Sequence, residues 1–327
     1  MQVAGRAGTL LLLAGALGIA CLPLFASQYH VEFAAAALVA ALFALSLHLL
    51  VGGVGMVSLG HAAFFGLGAY TVWFLSPSGG TPPSIFLTLP AAALAGGAAS
   101  LAVGALALRT RGFFFLMVTL AFGQMLFFIF HDTPLGGGAD GVYITRPVLG
   151  AFGWAAEVPR RKPPAVLLWL NLGTLALVYA GLAGLFRTLF GRALLGIRAN
   201  EHRMTALGLP AHRYKLAAFV LAGALAGVAG HNLAVTLPFV NPELLGWHRS
   251  ALALLAIVLG GAGWLHGPIL GALAFAVLGE VAGQVTERQH LVEGLVILGV
   301  VLALPQGLSG LRLRRPAPTP VVVEDPA

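Results

Sequence analysis

Long apolar runs succeed one another along this sequence, and nothing constrains its fold more. A bilayer core about 30 Å thick takes about 20 apolar residues in an α-helix. On that ruler about ten runs qualify, near Thr9–Phe25, Phe33–Val51, Leu59–Leu75, Ile85–Leu108, Phe113–Phe130, Ala165–Phe186, Leu216–Leu237, Ser250–Trp264, Pro268–Gly283 and Leu291–Leu304. The last three are short, so eight to ten crossings are expected. The runs are continuous and show no period-two alternation, which excludes a β-barrel. The expected fold is all-α: a polytopic membrane protein.

Composition agrees. Of the 327 residues, 59% are hydrophobic and only 9% charged, too few polar groups to cover a water-soluble surface. The single cysteine, Cys21, supports neither an internal disulfide nor a thiolate metal site. The formal net charge of +7 comes from bases scattered between apolar runs, which argues for cytoplasmic loops and against nucleic acid. With the N-terminus inside, cytoplasmic segments would hold 12 of the 18 basic residues, while four of the others sit in the long outer loop 131–164. Both termini are therefore expected in the cytoplasm. The first run also has the outline of a signal peptide, with Arg6 as a thin basic start, but the polytopic remainder favours a span. The expected organisation is a transmembrane domain over 1–315 and a disordered cytoplasmic tail over 316–327, which lacks apolar periodicity.

Neither lysine, Lys162 or Lys215, follows a phosphate-cradling glycine loop. If the chain drives uphill transport, the energy must come from another polypeptide or from an ion gradient. The segment 187–215 is the one long polar interruption between two firm spans that is strongly basic, with six bases against one acid, Glu201. Asn200 is placed to cap a short helix that Gly208 and Pro210 would end after about two turns. Such a helix reads either as a lever for a soluble partner or as a basic loop against anionic lipid heads.

Two glycine runs lie in opposite halves. Gly52-Gly53-Val54-Gly55 leads through Ser58 and Gly60 to His61, and Gly260-Gly261-Ala262-Gly263 leads to His266-Gly267-Pro268. Interrupted helices around a central pathway leave such a trace. So does close helix packing, for which Gly263, Gly267 and Gly271, or Gly223 with Gly227, have suitable spacing. The candidate pathway set is Gly55, Met56, Ser58, Gly60, His61, Gly260, Gly261 and Gly263. Polar residues inside the runs are few: His48, His61, Gln124, Asn171, His231, Asn232 and Glu280. No acidic pair suggests a proton relay. Gly307-Leu308-Ser309-Gly310 matches a serine-protease pattern, but no histidine follows it to act as base.

Six pieces, in order from about Leu45 to Gly310, resemble the LivM-type permease subunit of bacterial branched-chain amino acid ABC importers. They are Ser58–Tyr70, Arg111–Phe122, Gly137–Gly141, Gly191–Gly208, Leu259–Gly263 with Gly267 and Pro268, and Pro305–Leu308. The resemblance implies a heterodimeric pore with a second homologous permease, two cytoplasmic ABC ATPase subunits that bind ATP-Mg, and an external solute-binding protein. No cofactor is implied on this chain, and the location implied is the bacterial inner membrane. It also implies that Arg198 to Leu209, with Arg198, Asn200, Glu201, Arg203, Ala206, Leu207 and Gly208, is the coupling helix seated on an ATPase. Met56 stands where the family usually has glutamine, His48 where asparagine is common, and Leu304 where an arginine is frequent. Those departures leave open the import of urea or short-chain amides. A separate class, an ion-coupled secondary carrier using His61 or Glu280, also stays open.

Overall fold

A computed structural model describes residues 6–76, 82–148, 163–285, 288–303 and 307–312. The tail 316–327, the stretch 149–162 of the outer loop, and Leu304, Pro305 and Gln306 lie outside the described residues.

The helices, in chain order, are α1 (Arg6–Phe25), α2 (Gln28–His48), α3 (His61–Leu75), α4 (Ile85–Ala107), α5 (Phe113–Asp132), α6 (Pro163–Leu185), α7 (Leu189–Ala199), α8 (Glu201–Ala206), α9 (Ala211–Thr236), α10 (Trp247–Gly260), α11 (Gly267–Val285) and α12 (Gln289–Ala303). Each of the ten apolar runs is built around one of them, and α7 and α8 occupy the polar segment between α6 and α9. Six of the described helices are long and apolar enough to cross a membrane, and shorter apolar helices include α3 and α10. Strand structure among the described residues is one two-residue antiparallel pair, β1 (Val142–Tyr143) with β2 (Phe239–Val240).

The loops sort onto two ends. At one end the Tyr29 hydroxyl donates to Glu280 (2.7 Å), the Ser76 hydroxyl to the Thr145 carbonyl (2.5 Å), and β1 meets β2. At the other, Arg198 donates to the Gly52 carbonyl and Ser309 to the Gly260 carbonyl. Ten alternating helices return the chain to the end from which it started.

Packing pairs the two halves crosswise. Helix α9 lies against α3 and α4, α2 lies against α10 and α11, and α2 and α9 pack on each other. α3 and α10 match in kind: 15 and 14 residues long, each with a glycine, Gly60 or Gly246, at its N-cap. Each follows a long helix and a stretch outside any α-helix, 55–60 in one half and 237–246 in the other. Because α2 and α9 run in opposite directions, the halves α1–α5 and α6 with α9–α12 form an inverted repeat. The backbone freed at such breaks must find partners inside the protein. One does so across the halves, where the Ala62 N–H donates to Ser250 Oγ at 2.8 Å.

Small residues bring the helices together. On α9, a Cβ at Gly223 or Gly227 would run into Ser100 or Ala92 of α4. In lipid, where hydrophobic driving force between helices is lost, such close backbone approach supplies the attraction.

Candidate functional site

The first glycine run ends α2 in a wider, hydrogen-bonded turn and not in a simple break. Leu49–Val54 forms a π-helical turn, closed by the N–H of Gly55 bonding to the Leu50 carbonyl at 2.9 Å. Gly55 then takes φ +81°, a left-handed conformation that glycine adopts without a steric penalty. A Cβ at Gly52 would lie 2.6 Å from Nε2 of His48, so the ring of that buried histidine occupies the space a side chain would need. π-turns of this kind concentrate at functional places in helices.

The polar segment is two helices, one more than expected. α7 is amphipathic: Gly191, Ala193, Leu194 and Ile197 are buried while Arg192 and Arg198 are exposed. Thr188 caps it, accepting from the Gly191 N–H. Arg198 lies in the last turn of this helix and does not belong to the short one. Asn200 caps α8, its Oδ1 accepting from the Arg203 N–H at 2.9 Å, as the sequence suggests. Gly208, at φ +85°, ends the turn that follows. Arg203, Ala206, Leu207 and Gly208 are all exposed, and Leu207 is 71% exposed.

These two places meet. The Arg198 guanidinium donates to the carbonyl of Gly52, one of the last carbonyls of a helix, which have no partner within it and carry the negative end of its dipole. A cavity of about 600 Å³ lies beside the contact, lined by Gly55, Met56, Arg111, Arg198, Asn200, Glu201 and Lys215 among others. Within it Lys215 Nζ and Glu201 Oε2 are 2.5 Å apart. Partial burial pushes the Glu201 carboxyl up, but the Lys215 hydrogen bond and the charges of Lys215, Arg111 and His202 outweigh it and hold the group below the usual value.

The remaining candidates lie elsewhere. Ser58 and Gly60 are buried, and a Cβ at Gly60 would overlap the Thr119 carbonyl of α5. His61 is fully buried, 3.0 Å from Ser46 Oγ and stacked on Phe43. Glu280 receives hydrogen bonds from Tyr29 and Gln284 at the opposite end of the molecule. The second glycine run follows α10, whereas the first precedes α3, so the two are not counterparts in the repeat. Gly260 and Gly261 are packed against the backbone of Gly267 and Gly307, while Gly263 has open space around it, so the packing series is Gly260, Gly267 and Gly271. The serine of the protease-like pattern, Ser309, donates to the Gly260 carbonyl at 2.5 Å and holds its own segment against that run.

Sequence reasoning missed α7 and did not place Arg111 or Lys215 in the candidate site. The apolar spacing of Phe190, Leu194 and Ile197, at i, i+4 and i+7, was the available signal for α7.

The family model described as branched-chain amino acid transport system permease component matches residues 29–304. The chain is 32% identical over 314 residues to the high-affinity branched-chain amino acid transport system permease protein LivM of Escherichia coli K12, covering 90% of this chain and 72% of that one. The Salmonella typhimurium LivM protein gives the same figures. The L-arabinose ABC transporter permease protein AraH of Azospirillum brasilense is 27% identical over 227 residues, covering 67% of this chain and 64% of its own. No solved structure matches the chain.

Proposed function

The chain belongs to the family of branched-chain amino acid transport system permease components, and we propose that it imports branched-chain amino acids by alternating access driven through α8. It is the permease subunit of an ABC importer. Its partners in this reading are a second homologous permease, two ATPase subunits that bind and hydrolyse ATP-Mg, and an external solute-binding protein that delivers the amino acid. The membrane is the bacterial inner membrane, with both termini and α7–α8 on the cytoplasmic side, where most of the bases lie.

One observation carries the mechanism: Arg198, at the junction of α7 and α8, holds the carbonyl of Gly52 at the π-helical end of α2. α8 buries none of its residues, and Arg203, Leu207 and Gly208 are exposed for an ATPase groove. A change in the ATPase that moves α8 pulls on Arg198 and therefore on the end of a 27-residue helix that passes through the core. α2 touches α10, α11 and α9, so its tilt shifts the break at 55–60 relative to the other half. The two arrangements of the pore then differ in how they contact the ATPases, which is what lets nucleotide binding select between them.

The test is reconstitution. Proteoliposomes carrying this chain with its second permease, ATPases and solute-binding protein should take up radiolabelled L-leucine only with ATP. Uptake by this chain alone, driven by an ion gradient, would instead establish the secondary carrier.

A further inference from the structure

At the end of the bundle opposite α8, a second cavity of about 350 Å³ opens between the start of α2, the start of α6 and the end of α9. Its size is at the lower end of the range for small-molecule sites. Its wall carries one acid, Glu32, and one base, Arg146, with apolar surface from Ala35, Leu167 and Leu237 between them. The two are not ion-paired with each other.

Each is instead held by a neighbour. Arg146 donates through Nη2 to the Thr236 carbonyl at 3.2 Å, and its Nε is closed off from solvent without an acceptor. Gln28 donates to Glu32 at 3.0 Å, which fixes that carboxylate one turn into α2. Thr236 is itself anchored, since its hydroxyl accepts from the buried Asn171 side chain at 3.0 Å. A guanidinium with donors to spare, a carboxylate held apart from it, and an aliphatic wall make a complement to a zwitterion with an apolar substituent. Arg takes a carboxylate by paired hydrogen bonds, and a carboxylate takes an ammonium.

We propose that this cavity is an outer vestibule that receives the α-carboxylate of a free aliphatic amino acid on Arg146 and its α-ammonium on Glu32, before the molecule enters the pore. The proposal rests on the reading of the chain as an amino acid importer. A zwitterionic lipid headgroup, such as phosphatidylethanolamine, has the same pair of charges, so the test must separate the two sources.

The assembled transporter, placed in nanodiscs without its solute-binding protein, is titrated with labelled L-leucine, with 4-methylpentanoate, which lacks the ammonium, and with 3-methylbutylamine, which lacks the carboxylate. Arg146→Gln should weaken leucine binding about tenfold or more and leave the amine unchanged, and Glu32→Gln should weaken leucine and leave the acid unchanged. That crossed pattern is one that general misfolding cannot produce. No leucine binding by wild type, equal effects on all three probes, or leucine binding by both variants as tight as by wild type would overturn the proposal. Leucine binding that disappears when the nanodiscs contain phosphatidylethanolamine would also overturn it, in favour of the lipid. ATP-driven leucine uptake by the complete wild-type system is measured in parallel. If uptake persists while the vestibule pattern fails, only the vestibule is lost; if uptake itself is absent, the importer reading goes too.

Discussion

The guanidinium of Arg198 is bonded to the carbonyl oxygen of Gly52, joining the last turn of the amphipathic α7 to the π-helical end of a helix that passes through the core. A charged donor on an otherwise orphan carbonyl contributes about 1–2 kcal/mol when partly exposed to solvent. That is enough to bias a two-state equilibrium roughly tenfold. Arg198→Ala should therefore leave the complex assembled but lower leucine uptake about tenfold, with ATP hydrolysis no longer stimulated by the loaded solute-binding protein. Arg198→Lys, which keeps a single charged donor, should recover part of the stimulation. The ratio of uptake to hydrolysis in proteoliposomes is the measurement, and an unchanged ratio in Arg198→Ala would remove this contact from the mechanism.

Gly52 and His48 make a second, sharper test. The His48 ring stands where a side chain at Gly52 would go, so Gly52→Ala should cost about 1–3 kcal/mol through overpacking. Shrinking the ring in His48→Ala should relieve the clash, so that the double variant melts above Gly52→Ala. Size-exclusion chromatography of heated, detergent-solubilised protein gives the ranking. Additive effects of the two substitutions would show that the residues do not share this space.

The ten apolar helices were legible because their signal is one-dimensional: an apolar run of span length means a helix whatever surrounds it. The Asn200 cap was legible for the same reason, since the cap and the amide it serves are three residues apart. The glycine runs were not. Gly52, Gly55, Gly260 and Gly263 look alike in sequence, yet they respectively clear a histidine ring, turn a helix end, pack on Gly267 and face open space. Only their neighbours in three dimensions distinguish them. The cavity that gathers Met56, Arg111 and Glu201 was hidden likewise, because its walls come from separate stretches of the chain.

That difference among glycines is itself testable. Gly227→Leu on α9 should prevent stable accumulation of the protein, since the added side chain would push into the backbone of α4 and overpacking of this kind costs about 1–3 kcal/mol or more. Gly263→Leu meets nothing and should leave accumulation and melting unchanged. Quantifying both in membranes from the same expression strain decides the matter. Equal loss for the two would contradict the packing described for α4 and α9.

The Lys215–Glu201 pair predicts a pH response with a definite sign. Glu201 is held below the usual carboxylate value in the folded chain, so its stabilisation is fully present above the unfolded value. It declines only as pH falls below the ordinary glutamate range of about 4–4.5 toward the lowered folded value. Since the pair is partly exposed, its contribution is at most about 1 kcal/mol and falls with salt. Amide exchange over Glu201–Ala206 should thus be flat in relative protection from neutral pH to about 4.5, then lose protection in wild type but not in Glu201→Gln. A wild-type loss already near neutrality would mean that some other group controls α8.

Leu207 tests the proposal that α8 seats on an ATPase. It is 71% exposed just after α8, at a place where Arg203 and Gly208 are exposed too. A large apolar side chain left in water beside a short helix gains by burial in a partner, by about 1.5–3 kcal/mol when the burial is complete. Leu207→Asp should therefore weaken retention of the ATPase subunits about tenfold or more without altering the melting of the isolated permease, because Leu207 has no part in its core. Leu189, 78% exposed at the start of α7, serves as the matched control on the preceding helix. Co-purification of the ATPases at graded detergent and salt reads the difference directly. If Leu189→Asp strips the ATPases and Leu207→Asp does not, the seat lies on α7 and the lever assignment moves with it.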